Sequence, residues 1–402
     1  MKQTLFLLLA ATILTGCSYF NPTITPQLAQ KLRAAYAAGD YFTLAANIDS
    51  VNARFYSPEI QLHRVTAYNF TNKVAESEAA LAQYYTQVLD KTSNDTIRYA
   101  LLRVHLDNVL KLQRYADAVA CVQSLLEKYT PFMTKKEVDN FALLQSEYNA
   151  VSKVVPMVCD KRADSELQLS VDKFGFPKVQ VRVRKYADEL YINTQSPFCT
   201  VAESTAGRFE LRQLEGTFDA VSPLFNRAVA GVAVADELRI GNAVFRNVPF
   251  IVFPDKAMWA QDSMPVRGTL GFNILHQLEQ FTLTADNKIL IPQYADAITA
   301  RNIGLDGTKI LVASQTRNNA PFPMYWNMGA SKTTFYGIAA QADTAIYNAF
   351  QFNISDKPLD MDSIRVDKSE TARRGMGVFG RDMLKHTKAV RVNLKSMRLS
   401  VE

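Results

Sequence analysis

Gly268-Thr269-Leu270-Gly271-Phe272-Asn273-Ile274-Leu275 recurs near the end of the chain as Gly377-Val378-Phe379-Gly380-Arg381-Asp382-Met383-Leu384. Gly268/Gly377, Gly271/Gly380, Leu275/Leu384 and, further on, Leu290/Leu399 match at a constant offset of 109 residues (268 to 377). An alternating apolar run follows each octet, Phe281-Thr282-Leu283 in the first copy and Val390-Arg391-Val392 in the second. Self-similarity at a fixed offset marks an internal duplication. Here it spans much of the second half of the chain and predicts a two-lobed region.

Upstream of each octet the apolar residues recur with period two, the pattern of half-buried strands. Leu167 to Val171 and Val179 to Val183 alternate in this way, and a turn over 185–188 leads to a returning strand at Leu190-Tyr191-Ile192. That hairpin runs directly into Asn193-Thr194-Gln195-Ser196. In the second copy Lys309 to Ala313, a turn around Asn318-Asn319 and a strand from Phe322 to Trp326 run into Asn327-Met328-Gly329-Ala330-Ser331.

This order, given twice, resembles the lobes of the retropepsin-like (pepsin-like) aspartic proteases. A lobe of that family runs from a hairpin into the turn Asp-Thr-Gly-Ala/Ser, then through a flap hairpin to a hydrophobic-hydrophobic-Gly segment and closing strands. Asn193 to Ser196 and Asn327 to Ala330 stand at the signature turns. Thr269-Leu270-Gly271 and Val378-Phe379-Gly380 stand at the segment that supports each turn, and Leu238 to Phe245 resembles the family's strand, Gly, turn and strand. The resemblance covers residues 165 to 402. It implies a mainly-β, acid-protease-like barrel domain with a first lobe over 165–300 and a second over 301–402. Two lobes on one chain would bring the turns together in a monomer.

The turns are 134 residues apart (193 to 327), which makes the first copy 25 residues longer than the second between turn and Gly segment. The excess suggests a flap in one lobe. The candidate is Ala228 to Ala235, centred on Gly231, with a plain surface loop as the alternative. Tyr325 and Trp326 either line the cleft between the lobes or belong to the core.

The family's chemistry needs two carboxyls that hold a water and share a proton, because two like charges so close cannot both ionise. Asn193 and Asn327 occupy both positions, and an amide is no general base. Gln195 replaces the Gly that lets the family's turn curl, while Gly329 keeps it. Asp188, Glu189, Glu203, Asp255, Asp262 and Asp382 are the other acids near these segments, and each reads as an exposed or capping carboxylate. The resemblance thus implies a protease-shaped protein without standard catalysis, its cleft binding extended peptide. One alternative is a peptidase using other groups. The other is a structural or interaction protein that uses its helical domain. No cofactor is implied. The four His are scattered singly and the Cys spacing fits no metal site.

The region before the β pattern reads as all-helical over residues 27–155. Leu28, Leu32, Tyr36 and Leu44 recur at helical spacing, and Gly39-Asp40 marks a turn between two helices. An apolar stripe over Asn69 to Val88 carries small Ser77 at a helix contact. Thr96 to Lys111 pairs with Tyr115 to Tyr129, and Lys135 opens a further helix. Leu102 to Tyr129 resembles one tetratricopeptide unit, and a plain bundle fits as well. Such stacked pairs bury their apolar faces on neighbours.

Lys2, the apolar run from Leu5, and Leu14-Thr15-Gly16-Cys17 make an export signal that resembles the bacterial lipoprotein signal. The resemblance implies a lipidated Cys17 after a signal over 1–17, then a tether over 18–26. Ser18-Tyr19-Phe20, lacking Asp, is similar to the start of lipoproteins sent to an outer membrane. The expected location is therefore the bacterial cell envelope, with membrane contact through the lipid alone. No later stretch approaches the roughly 18 apolar residues of a span. In that oxidising setting Cys121, Cys159 and Cys199 permit one disulfide. The chain has 402 residues, is 48% apolar and 21% charged, and carries a formal charge of +6. It holds no long basic run, which argues against nucleic acid.

Overall fold

The computed structural model describes residues 24–87, 94–260, 264–337, 344–355, 357–368 and 376–402. The export signal, Cys17 and nearly all of the tether lie outside the described residues, as does Asp262. A helical region is followed by a larger β-rich region.

The helices are α1 (Pro26–Ala37), α2 (Tyr41–Ile48), α3 (Pro58–Phe70), α4 (Val74–Gln87), α5 (Asp95–Lys111), α6 (Tyr115–Lys128) and α7 (Lys135–Val151). Their starts follow from local chemistry. Thr25 and Ser57 cap α1 and α3 ahead of Pro26 and Pro58, Asp40 caps α2, and Thr134 with Glu137 forms a capping box on α7. Each cap satisfies amide donors that a helix start leaves open. The stripe over Asn69 to Val88 is not one helix. The chain breaks at Thr71-Asn72-Lys73, where Asn72 takes φ 57°, so Asn69 lies in the last turn of α3 and Ser77 in the first turn of α4. Helix α3 is buried on nearly all sides, polar residues included. Asn69 donates to Asn108 at 2.7 Å, Asn108 donates to Ser77 at 2.8 Å, and Ser77 donates to the Val65 carbonyl at 2.8 Å.

The β region runs β1 (Val158–Lys161), β2 (Ser165–Gln168), β3 (Ser170–Val171), β4 (Pro177–Val183), β5 (Tyr186–Ile192) and β6 (Cys199–Ala202). Next come helix α8 (Glu203–Arg208), β7 (Arg212–Gln213), β8 (Phe218–Val221), β9 (Arg227–Ile240), β10 (Ala243–Phe253), β11 (Gly268–Leu270), helix α9 (Phe272–Leu278), β12 (Gln280–Thr284) and β13 (Lys288–Ile291). The remaining strands are β14 (Ile303–Asp306), β15 (Lys309–Val312), β16 (Ser314–Thr316), β17 (Met324–Trp326), β18 (Thr334–Gly337), β19 (Thr344–Ile354), β20 (Lys357–Lys368), β21 (Gly377–Phe379), β22 (Ala389–Asn393) and β23 (Arg398–Val401). The turn between β4 and β5 is tighter than the 185–188 span predicts. Arg184 takes φ 52°, and Tyr186 already begins the returning strand.

One large sheet gathers β1 and β3 to β11, a second gathers β14 to β21, and a third has the order β2-β13-β12-β22-β23. The third sheet joins material from both copies of the repeat. Thr282 pairs with Arg391, its own counterpart at the 109-residue offset, with Phe281 opposite Val392 and Leu283 opposite Val390. A continuous apolar core extends from Val179 and Phe245 through Phe281 to Trp326 and Phe379.

The helices dock on the β region through two sets of aromatic contacts, among others. Phe198, before β6, packs against Tyr115 and Tyr148 with ring centroids 5.4 and 6.5 Å apart. Phe70 lies over β14 with Leu311, Tyr325 and Val378 around it. A Cβ on Gly304 would overlap the Phe70 ring, so only Gly lets the two surfaces meet there. Cys121, Cys159 and Cys199 are all free thiols, so the disulfide that their number permits is not formed among them.

Candidate functional site

Each Asn-bearing turn leaves a strand that runs parallel to one of the two Gly-bearing segments. Tyr191 and Ile192 on β5 pair with Thr269 and Leu270 on β11, and Tyr325 and Trp326 on β17 pair with Val378 and Phe379 on β21. The Asn193 amide then donates to the Leu270 carbonyl at 2.9 Å, and the Asn327 amide donates to the Phe379 carbonyl at 3.0 Å. Past the Gly, the Phe272 amide donates to Ser196 and the Arg381 amide to Ala330. Gly271 and Gly380 are required for steric reasons. A Cβ on either would overlap backbone, that of Phe198 in one copy and of Lys332 in the other.

Beneath each turn runs a short hydrogen-bond relay that sequence reading missed. The Gly380 amide donates to the Thr333 hydroxyl at 3.2 Å, and that hydroxyl donates to Asp382 at 2.8 Å. Asp382 also accepts the Thr333 amide and is half-buried, so it is not an exposed acid. In the first copy the Gly271 amide donates to the Cys199 sulfur at 3.4 Å, and the thiol donates to Asn273 at 3.4 Å. Cys199 is buried, and that burial pushes its pKa up to about 12. The signal was available, since Asn273 and Asp382 hold the same place in the quoted octets.

The two turns touch. The Met328 amide donates to the Thr194 hydroxyl at 3.2 Å, and the Gln195 side chain donates to the Trp326 carbonyl at 3.2 Å. Thr194 is fully buried and Met328 nearly so. The bond is one-sided because Met328 has no hydroxyl to return it. Each Asn is held within its own turn. Asn193 Oδ1 accepts the Gln195 amide at 3.0 Å, and Asn327 Oδ1 accepts the Gly329 amide at 2.8 Å. Both Asn side chains are half-buried, Gln195 and Ser196 likewise, while Gly329 is exposed. Ser196 donates to the Phe198 carbonyl. Trp326 is fully buried beside Phe281, and Tyr325 is turned toward Phe70 and donates to Asp306 at 2.5 Å, so both aromatics belong to packed surfaces.

The nearby acids are occupied elsewhere. Asp188 is buried rather than exposed, because Arg208 and Arg267 both pair with it. Asp255 accepts the Ser204 amide and hydroxyl near the start of α8. Glu189 pairs with Lys178, which holds its carboxyl below the usual range. Ala228 to Ala235 lies inside β9, and Ala230 and Val232 to Ala235 are buried. Gly231 pairs with Val252 within β9, and Ala228 pairs with Ala220 in the arm of the β8–β9 hairpin, so the segment is strand rather than a surface loop. Arg381 instead links the copies. Its guanidinium lies 3.7 Å over the Phe176 ring and donates to the Phe174 carbonyl.

A cleft of about 520 Å³ lies elsewhere, where the helices meet β14. Among the described residues no group of three or more His, Cys, Asp or Glu is placed to hold a metal ion, and no helix is long and apolar enough to cross a membrane. No protein-family model matches this chain, and no curated protein matches it.

Proposed function

We propose that this chain is a two-lobed, retropepsin-like lipoprotein of the bacterial cell envelope that has lost the family's acid chemistry. Its helical region spaces or docks the anchored β domain, and the groove over the paired turns holds extended polypeptide without cutting it. The observation that carries this reading is the meeting of the two turns through Thr194 and Met328, with an amide rather than a carboxyl at both Asn193 and Asn327. The matched parallel pairings, the matched relays and the pairing of Thr282 with its counterpart Arg391 support two lobes related by duplication. An amide accepts and donates hydrogen bonds but cannot take a proton from water near neutral pH. Of the two acids just before the first turn, Asp188 pairs with two arginines and Glu189 with Lys178.

The test is incubation of the purified protein with unfolded polypeptides from about pH 3 to 8, where such carboxyl chemistry operates. Intact substrates are expected throughout, together with saturable binding of a labelled extended peptide. Reproducible cleavage that disappears in Asn327→Ala would overturn the proposal.

A further inference from the structure

The cleft between the helices and β14 is separate from the paired turns, and its chemistry is independent of theirs. Its volume of about 520 Å³ is in the range of ligand sites, which favour junctions between domains. The Thr66 hydroxyl lines it, is only 4% exposed, and has no hydrogen-bond partner. A buried hydroxyl in that condition costs about 1–3 kcal/mol, which a bound polar group would recover. The walls are aromatic and acidic. Tyr36, Tyr99, Phe141 and Tyr148 supply rings, and Asp107, Glu137 and Asp306 supply carboxylates. Among the described lining residues Arg103 is the one cation. Lys111, just behind the wall, reaches the carbonyl and side-chain oxygens of Asn69.

Arg103 demonstrates how this surface holds positive charge. Its guanidinium lies 5.6 Å from the Tyr99 ring centroid and 6.0 Å from that of Phe141, and it donates to the Tyr99 hydroxyl and to Glu137. Ring faces and a carboxylate together are the combination that attracts cations. Asp107 and Asp306 extend the same surface beyond Arg103. Asp306 is delivered by the β14–β15 hairpin, so the site exists only where the helical and β regions meet.

We propose that this cleft binds a basic side chain, Lys or Arg, of an extended polypeptide. The charged head is taken up by Asp107 and Asp306, the aliphatic stem lies on the rings, and Thr66 bonds the ligand's backbone. The chain as a whole carries a formal charge of +6, so general electrostatics favour acidic ligands. A preference for basic ones therefore reports the cleft.

The experiment is fluorescence anisotropy on the full chain with two short fluorescein-labelled peptides, one alternating Lys with Ala and one alternating Glu with Ala, at about 0.15 M salt. The Lys peptide is expected to bind at least about tenfold more tightly, roughly 1.4 kcal/mol. Asp306→Asn keeps an acceptor for Tyr325 and should weaken the Lys peptide about five- to tenfold. Ala100→Phe fills the cleft and should remove the preference for the Lys peptide over the Glu peptide, with Asp107→Asn as the alternative where Ala100→Phe does not fold. Equal or tighter binding of the Glu peptide overturns the proposal. So does unchanged affinity in a folded Asp306→Asn protein.

Discussion

The Thr194 hydroxyl accepts the Met328 amide at 3.2 Å, and this bond, between residues 134 positions apart, joins the two turns in the buried centre of the β region. Removing the hydroxyl leaves a buried N–H without a partner. Thr194→Val keeps the shape and should cost about 1–3 kcal/mol in urea unfolding. Thr194→Ser should recover most of that loss. A larger cost for Ser than for Val would mean that the methyl group, not the bond, joins the turns.

Gly304 lies against the Phe70 ring, and any Cβ there would overlap the ring. Gly304→Ala must push Phe70 out of its place among Leu311, Tyr325 and Val378. Overpacking of this kind costs about 1–3 kcal/mol. Because the strain falls on the docking surface, proteolysis in the 152–157 linker should accelerate. Adding Phe70→Leu should relieve the strain and slow cleavage again.

The two Gly segments are legible because a Gly that backbone presses on tolerates no substitute, so Gly271 and Gly380 stand out at a fixed offset. Helices α5 and α6 are legible because their apolar stripes end at polar turns and no Gly or Pro interrupts them. The break at Asn72 is not, because Asn adopts φ 57° cheaply and the apolar stripe runs on across it. The burial of Asp188 is hidden too, since its partners Arg208 and Arg267 are remote in sequence. Alternating Ala and Val around Gly231 suit a buried strand as well as a surface loop, and packing decided for the strand. The junction cleft draws on residues from Tyr36 to Asp306, so no local pattern announces it.

His276 on α9 faces Asn72 of the helical region, with its Nε2 3.1 Å from Asn72 Oδ1. Burial, with repulsion from Lys111, pushes its pKa down to about 4, while Glu279 opposes the shift. The unfolded value is near 6.5. As pH falls from about 6.5 toward 4, the unfolded chain takes up a proton that the folded chain refuses, so stability falls. Above about 6.5 the contribution is fully present. His276→Gln can keep a bond to Asn72 without titrating. Urea midpoints at about pH 7 and 4.5 should therefore fall further for the natural protein than for the variant, and parallel losses would exclude His276 as the cause.

The paired relays beneath the turns use different chemistry for the same task, which predicts unequal costs. In the second copy Thr333 donates to a carboxylate, Asp382, and accepts the Gly380 amide, and hydrogen bonds to charged groups contribute about 1.5–3 kcal/mol each. In the first copy Cys199 makes both contacts through sulfur at 3.4 Å, and a thiol is a weak donor and acceptor. Thr333→Val should thus cost about 2–3 kcal/mol, because it strands the Gly380 amide and deprives Asp382 of a donor. Cys199→Val leaves Gly271 in a similar position but gives up only weak bonds, and should cost about 1 kcal/mol. Thr333→Ser should stay near the natural stability, as it retains the hydroxyl. Chemical denaturation of the three variants decides the matter. If Cys199→Val proved the more damaging, the support under the first turn would rest on the packing of the sulfur rather than on the relay.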